Sequence, residues 1–250
     1  MSKKFKLGVV GDPIEHSLSP FIHSRFSRNE NVNINYLAYK VNNDDFDIFI
    51  KEFFQDKEAR GLNITLPHKK RAASLEGEIS QEARYINAVN TIHNENDKLH
   101  LFSTDGVGFI NDIENKKFNL KNKNILVIGA GAAVESILYR VATAKPKEIT
   151  VINRTLEKAD RLIRKFGNMT KIKSDVDIDK PFDLVINGSS AGLTGDFFPE
   201  ENIPLTPKTY FYDLNYSLTE TPFCKWAKEK SDDVYDGMGM LVYQAAYSFE

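Results

Sequence analysis

Residues 124–142 combine an apolar strand, a glycine turn and a helix in that order. The segment reads NILVIGAGAAVESILYRVA. In dinucleotide-binding units, the first glycine permits the tight turn, and the second lets backbone N–H groups approach a pyrophosphate at the positive end of the helix. Gly129 and Gly131 hold these positions. Val134 stands where Gly or Ala is usual, so we expect helix and strand to pack slightly further apart. An ordinary strand-to-helix turn is the alternative for this motif alone.

The next strand, EITVINR, ends roughly twenty residues after the glycines, where NAD enzymes usually carry an acidic residue for the ribose 2′-hydroxyl. Arg154 stands there instead, and Lys158 follows one helical turn later. A guanidinium can bind a 2′-phosphate through two hydrogen bonds. The alternative is a surface arginine beside Thr155 as a helix cap. Together with the glycine turn, the pattern favours NADP(H).

Short apolar runs rich in β-forming residues alternate with helical stretches along the chain. The runs are KLGVV, NINYLAYKV, GLNITL, AVNTI, KLHLF, NILVIGA, EITVINR, DLVING and TYFYDL. This alternation predicts an α/β fold with mostly parallel strands. The polar segment at residues 111–124 separates the first five runs from the last four, so we expect two α/β domains.

The composition of the chain limits the kinds of molecule that it is expected to bind. With 33 Lys plus Arg against 35 Asp plus Glu, the net charge is -2, which favours a small molecule over nucleic acid. The lone Cys224 rules out an internal disulfide, and no stretch has the length of a signal-peptide core or a membrane span. We therefore expect a soluble cytoplasmic protein, monomeric or homodimeric. No metal is expected, because no paired ligand spacing occurs among His16, His23, His68, His93 and His100.

The first half of the chain carries polar residues at the ends of predicted strands. Ser19, followed by Pro20, predicts a helix start, and Ser17 adds a hydroxyl that makes a carboxylate site conceivable, although capping alone is the simpler interpretation. In GLNITLPHKK, alternation places Asn63 and Thr65 on one face of a strand.

Lys69 follows at an expected helix N-terminus, where a cation opposes the macrodipole, so it calls for an anionic partner unless it is simply solvated. Asn90 lies in the apolar run AVNTI, where a buried amide must find partners. Asp105 is either a helix cap or half of an ion pair with Lys69.

Eight motifs in register give the chain a resemblance to the shikimate dehydrogenase family. They are GDPIEHSLSP, NITLPHK, AVNT, TDGVGF, GAGAA, NRT, DLNYSLTETPF and DGMGMLVYQAA. The resemblance implies an NADP-dependent oxidoreductase that reduces 3-dehydroshikimate to shikimate in the pathway to chorismate and the aromatic amino acids. It also implies a substrate-binding catalytic domain at residues 1–105, a Rossmann NADP-binding domain at 106–236, and a C-terminal segment at 237–250 that returns to the first domain.

The resemblance assigns residue roles as well. Lys69 and Asp105 become the catalytic pair, with the lysine protonating the developing alkoxide and the aspartate orienting it. The implied substrate contacts are Ser17 and Ser19 for the carboxylate, Asn63, Thr65, Asn90 and Gln244 for ring hydroxyls, and Tyr216 near the cofactor. The implied NADP(H) contacts are Gly129, Ala130, Gly131, Ala132, Ala133, Asn153, Arg154, Thr155, Lys158, Leu214, Gly237 and Met240.

Two departures from the family pattern stand out: Asn87 replaces a common Gly before AVNT, and the chain stops at Glu250, before a further helix that relatives usually have. Two alternatives stay open. One is a relative that also oxidises quinate. The other is a non-catalytic module that senses its ligands, since dinucleotide-binding folds occur both in enzymes and in ligand sensors.

Overall fold

The computed structural model describes residues 4–177, 179–189, 197 and 203–250. The chain divides into two units, one formed by Met1–Asp105 with Val242–Glu250 and the other by Gly106–Leu241. No helix in the described part of the chain is long and apolar enough to cross a membrane.

The elements up to the first helix of the second unit follow in chain order. They are β1 Phe5–Gly11, α1 Ser19–Asn29, β2 Ile34–Lys40, α2 Phe46–Phe53, β3 Ala59–Ile64, α3 Lys69–Ala72, β4 Glu78–Ile79, α4 Gln81–Ile86, β5 Thr91–Glu95, β6 Lys98–Phe102 and α5 Asp105–Asn115.

The remaining elements complete the second unit and end in a helix whose last turns belong to the first. They are β7 Asn124–Ile128, α6 Ala132–Thr143, β8 Glu148–Ile152, α7 Leu156–Phe166, β9 Ile172–Lys173, β10 Leu184–Asn187, β11 Tyr210–Asp213, α8 Pro222–Lys228, β12 Val234–Tyr235 and α9 Met238–Phe249.

The sheet of the first unit has the described strand order β2-β1-β3-β5-β6-β4. β1 pairs in parallel with β2 and β3, whereas β5 is antiparallel to both β3 and β6. The expectation of mostly parallel strands therefore holds, with β5 as the strand that runs the other way. Because β5 is reversed, it begins at the same edge of the sheet where β1, β3 and β6 end. Residues flanking these four strands are therefore brought together.

Helices cover both faces of this sheet. Tyr36 and Tyr39 lie three residues apart on β2 and so point to opposite faces. Tyr36 stacks on His23 of α1, and Tyr39 packs against Phe49 of α2. The core on the α2 side is built from fully buried aliphatic and aromatic side chains of β1, β3, β5, β6 and α2.

The sheet of the second unit has the described order β12-β11-β10-β7-β8-β9, and every described pair in it is parallel. The chain moves outward from β7 to β8 and β9, and then returns to β10 on the other side. The crevice at the carboxyl ends of β7 and β10 is thus a topological switch point, where open α/β sheets bind their ligands.

Val134 is accommodated by a glycine on the neighbouring strand. Val134 is completely buried, and a Cβ on Gly188 would collide with its Cγ2 atom. Gly188 follows β10 directly and donates its N–H to Ile128 O of β7. The absent side chain at Gly188 supplies room for Val134, and the expected wider spacing of helix and strand stays a prediction.

Local boundaries differ from the expected ones in three places. The helix α1 begins at Ser19 with Leu18 as its cap residue, so Ser19 is not the N-cap. Thr65 and Asn90 lie just outside β3 and β5, whereas the sequence predicted both inside strands. Asn87 ends α4 with φ 57° and ψ 47°, a left-handed conformation that asparagine tolerates better than most residues, which explains how it replaces glycine.

Candidate active site

Polar side chains gather at the edge of the first sheet where β1, β3 and β6 end and β5 begins. Asn63 lies among the last residues of β3, Gln244 lies on α9, and each of the others comes from the turn or helix that adjoins one of these strand ends. The cluster consists of Ser17, Ser19, Asn63, Thr65, Lys69, Asn90, Thr104, Asp105 and Gln244. All of the predicted substrate and catalytic residues except Tyr216 therefore lie in the first unit.

Lys69 and Asp105 form an ion pair. Lys69 Nζ lies 2.6 Å from Asp105 Oδ2, and the two side chains are 24% and 10% exposed. Both residues are the first of their helices, α3 and α5. A carboxylate at a helix N-terminus is stabilised by the macrodipole, and here it also offsets the unfavourable position of the ammonium. Limited exposure leaves one face of the pair open to a ligand.

Asn90 is the hub of this cluster. Its Nδ2 atom donates to Asp105 Oδ1 at 2.9 Å and to Thr104 Oγ1 at 3.0 Å. Its Oδ1 atom accepts from the backbone N–H of Thr104 at 2.8 Å and from Thr91 Oγ1 at 3.0 Å. The buried amide thus has the partners that its burial requires. Asp105 is consequently held from both sides, by Lys69 on one oxygen and by Asn90 on the other.

Thr104 and Gln244 extend the network. Gln244 Oε1 lies 3.3 Å from Asn90 Nδ2 and 3.4 Å from Thr104 Oγ1. Because Asn90 Nδ2 has two hydrogens and three acceptors in reach, the shorter contacts to Thr104 and Asp105 dominate. Thr104 was not among the predicted site residues, although its place directly before Asp105 was a usable signal.

Ser17 and Ser19 lie together at the start of α1. Ser17 Oγ accepts from the backbone N–H of Ser19 at 3.3 Å. Ser17 therefore satisfies one of the unpaired N–H groups of the helix start, a role the sequence suggested for Ser19. The Ser19 side chain lies beside the Tyr36 hydroxyl instead, close enough to affect the pKa of the phenol.

Asn63 and Thr65 lie at the end of β3. Asn63 Oδ1 accepts from Tyr36 Oη at 2.7 Å, and Asn63 Nδ2 is within 3.3 Å of Thr91 Oγ1. Thr65 is seated over Gly11, where a Cβ would collide with its methyl group. Among the described residues, the Thr65 hydroxyl has no hydrogen-bond partner, which leaves it available to a ligand.

The glycine turn of the second unit fits a pyrophosphate. Gly129 has φ +107°, and a Cβ there would lie 2.8 Å from Ser189 N, so glycine is required on both counts. A Cβ on Gly131 would meet nothing within 4 Å, so open space adjoins the backbone at the start of α6. Gly131 caps that helix without a side-chain hydrogen bond. The first backbone N–H groups of α6, including those of Ala132 and Ala133, are thus free to bind an anion.

Arg154 and Lys158 lie beside this turn because β8 pairs in parallel with β7, with Ile152 opposite Ile128. Both cations are exposed, and in the described part of the chain neither has a carboxylate partner within ion-pair distance. Asn153 Nδ2 donates to Thr155 O at 2.8 Å and shapes the loop. Two unpaired cations at the carboxyl end of this strand fit a 2′-phosphate.

A buried network organises the ends of β10 and β11 in the same unit. Asp213 Oδ1 accepts from Asn187 and Asn215, each at 2.9 Å, and Thr221 donates to its Oδ2 atom at 2.7 Å. Burial raises the pKa of the Asp213 carboxyl despite these bonds. The network anchors Leu214, whose N–H donates to Asn187 O. Sequence reasoning missed Asp213.

The remaining predicted NADP(H) contacts and Tyr216 also lie in the second unit. Gly237 donates its N–H to Asn215 O, and a Cβ there would lie 2.5 Å from Leu214 O. Tyr216 is 39% exposed, and Met240 is half-buried in α9. Tyr216 was predicted as a substrate contact, and it does not belong to the unit that holds the other predicted substrate contacts.

Comparison with known proteins reveals similarity along nearly the whole chain. Residues 9–92 match the family model of the shikimate dehydrogenase substrate binding domain, and residues 112–193 match that of shikimate / quinate 5-dehydrogenase. A shikimate dehydrogenase (NADP(+)) from Legionella pneumophila is 40% identical over 98% of this chain and 91% of its own length.

Solved structures agree with the sequence relatives. The shikimate dehydrogenase of Aquifex aeolicus superposes with a TM-score of 0.88 at 31% identity, over 100% of this chain and 92% of its own. The shikimate 5-dehydrogenase of Thermus thermophilus, solved in complex with NADP(H) and shikimate, gives a TM-score of 0.87 at 30% identity, over 98% of this chain and 92% of its own.

Proposed function

This chain belongs to the shikimate dehydrogenase family, and we propose that it catalyses the reversible, NADPH-dependent reduction of 3-dehydroshikimate to shikimate. The observation that carries this proposal is the Lys69–Asp105 ion pair inside a cluster of hydrogen-bonding side chains. The proposed setting is the cytoplasm, where the buried thiol of Cys224 stays reduced, with the chain acting as a monomer or a homodimer.

Lys69 is the proposed proton donor for the ketone oxygen. Reduction places negative charge on that oxygen, and an ammonium at hydrogen-bond distance stabilises the charge and transfers a proton to it. In the reverse direction, the neutral amine takes the proton of the shikimate hydroxyl. NADPH, when bound, supplies the hydride.

Asp105 orients the lysine and contacts the substrate in this proposal. Its carboxylate offers about four lone-pair sites, of which Lys69 and Asn90 occupy two. A remaining site can accept a hydrogen bond from a neighbouring ring hydroxyl. Because Asn90 fixes the second oxygen, the carboxylate keeps its orientation when Lys69 moves toward a substrate.

The other members of the cluster are the proposed recognition groups. Ser17 and Ser19 bind the substrate carboxylate, for which hydroxyl and helix N–H groups are suitable donors. Thr65, whose hydroxyl is available, binds a ring hydroxyl together with Asn63, Asn90 and Gln244. Tyr216, which belongs to the second unit, is a further proposed substrate contact.

The proposed cofactor is NADP(H). The backbone of Gly129, Ala130, Gly131, Ala132 and Ala133 would hold the pyrophosphate at the start of α6. Asn153, Arg154, Thr155 and Lys158 would hold the 2′-phosphate. Leu214, Gly237 and Met240 would hold the nicotinamide end.

Steady-state kinetics test this proposal. Wild-type protein should reduce NADP+ with shikimate, and should do so with a much higher kcat/KM than with NAD+. No turnover with either cofactor, combined with tight shikimate or NADP+ binding by calorimetry, would favour the ligand sensor instead.

Quinate is a second candidate substrate, because the family model matched by residues 112–193 is described for both acids. Quinate is the bulkier ring, and none of the polar groups in the cluster excludes it by charge. Comparing kcat/KM for shikimate and quinate, each with NADP+ and NAD+, decides between a strict and a dual enzyme.

A further inference from the structure

Tyr36 of β2 lies between two of the proposed substrate contacts. Its hydroxyl donates to Asn63 Oδ1 at 2.7 Å, and the Ser19 side chain lies beside the same hydroxyl, close enough to lower its pKa against the larger effect of burial. Ser19 belongs to the proposed carboxylate site and Asn63 to the proposed ring-hydroxyl site. One phenol therefore connects the two groups that would bind opposite ends of the substrate.

The ring of Tyr36 is held rigidly. It stacks on His23 with centroids 4.2 Å apart and an interplanar angle of 13°. His23 in turn contacts Phe26 of α1 and Phe249 of α9, with centroids 6.0 Å and 5.9 Å away. Neither ring nitrogen of His23 has a hydrogen-bond partner in the described part of the chain, so the imidazole serves here as a flat packing surface.

The hydroxyl of Tyr36 keeps its proton at any ordinary pH, because burial raises the pKa of the phenol. It is therefore a permanent donor to Asn63 Oδ1. That bond decides which way the amide of Asn63 faces, since an asparagine side chain flipped by 180° has nearly the same shape. Asn63 Nδ2 is left to face Thr91 Oγ1 and Asn90 O, at 3.3 Å and 3.4 Å.

Ser19 is constrained by the same hydroxyl. The hydrogen of the phenol is committed to Asn63, so its oxygen is left as an acceptor for Ser19, whose side chain lies beside it. An incoming carboxylate is a stronger acceptor than a phenol and can take over the Ser19 hydrogen without any change of backbone. The seryl hydroxyl thus has a neighbouring acceptor before the ligand arrives.

We propose that Tyr36 is a positioning residue for substrate binding, which holds Ser19 and Asn63 at the spacing and orientation required by a ring that carries a carboxylate and hydroxyls. The inference rests on the proposed function, because it needs both residues to contact the substrate.

The test is steady-state kinetics of Tyr36→Phe with shikimate and NADP+. The change keeps the ring and its stacking on His23 but removes the hydroxyl. We expect KM for shikimate to rise about 10-fold, the equivalent of one hydrogen bond, while KM for NADP+ and kcat stay within about 3-fold. Tyr39→Phe is the matched control: it removes a hydroxyl from the same strand on the opposite face, and should leave all three values unchanged.

A second variant tests whether Tyr36 affects shikimate binding through Asn63. If Tyr36 acts through Asn63, Tyr36→Phe should raise KM for shikimate less in an Asn63→Ala background than in wild type. Three results would overturn the inference while wild-type activity stands. They are an unchanged KM for shikimate in Tyr36→Phe, fully additive effects of the two substitutions, and equal impairment of kcat and of both KM values. Absence of shikimate oxidation by the wild type would overturn the proposed function, and the inference with it.

Discussion

Lys69 Nζ and Asp105 Oδ2 lie 2.6 Å apart, although 36 positions separate the two residues in the sequence. The turn after β3 and the turn after β6 bring them together at one sheet edge, and Asn90 holds the second carboxylate oxygen. The pair is only partly shielded from solvent, so a ligand can reach the ammonium. This arrangement supports catalysis more than stability, since partly exposed ion pairs contribute little to folding.

Removal of the ammonium should therefore abolish most of the turnover. We expect Lys69→Ala to lower kcat for shikimate oxidation by about 10²–10⁴-fold, the usual range for a proton-transfer group. Lys70→Ala is the control, because Lys70 is the exposed neighbour on the same helix turn and should keep full activity. Undiminished kcat in Lys69→Ala would exclude the lysine as the proton donor.

Arg154 should determine the preference for the phosphorylated cofactor. Since charge-assisted bonds contribute roughly 1.5–3 kcal/mol, Arg154→Ala should raise KM for NADP+ about 10–100-fold and leave KM for NAD+ nearly unchanged. Arg164→Ala, an exposed arginine in the last turn of α7, is the matched control. Equal changes for both cofactors would mean that Arg154 does not contact the 2′-phosphate.

Gly188 and Val134 should behave as a coupled pair. Gly188→Ala forces a methyl group into the Val134 side chain and should lower the free energy of unfolding by about 1–3 kcal/mol. Adding Val134→Ala should recover part of that loss, because it restores the room. Gly131→Ala, where a Cβ meets nothing, should lose less, since it costs only the poorer N-cap of α6. Denaturant melts of these three variants, of Val134→Ala and of the wild type measure this, and additive losses would count against the coupling.

His23 should make stability depend on pH. Burial lowers its pKa from 6.5 to about 4, so between these values the unfolded chain binds a proton that the folded chain does not. The free energy of unfolding should therefore fall as the pH drops through this window, by up to about 3 kcal/mol.

The matched comparison is between His23→Phe, which keeps a flat ring against Tyr36, and His16→Asn, which alters an exposed histidine. The pH dependence of chemical denaturation should flatten only in the first variant. A His23→Phe curve parallel to that of the wild type would show that another group titrates there.

The α/β class and the two-domain architecture could be predicted, because alternating apolar runs report which segments are strands. Each of the nine predicted runs overlaps an observed strand. Strand direction could not be read in the same way: periodicity says which residues share a face, not whether β5 runs with or against β3. The two-residue strands β4, β9 and β12 are too short to carry any pattern.

The site residues also divide into those that a local pattern reveals and those that it does not. Residues in local motifs, such as Lys69 at the start of a helix or Arg154 after a strand, were found from sequence, and their roles remain predictions. Tyr36 and Gly188 were not found, because their partners Asn63 and Val134 lie 27 and 54 positions away and nothing in the local sequence connects them. Such pairs emerge only once the sheet order is known.

Shikimate dehydrogenase activity is tested by the initial rate of NADPH formation when wild-type protein is mixed with shikimate and NADP+. We expect a rate that is proportional to enzyme concentration, saturates in both substrates, and falls to a small fraction in Lys69→Ala but not in Lys70→Ala. Absence of NADPH formation by folded wild-type protein, or an equal rate in Lys69→Ala, would contradict the proposed function.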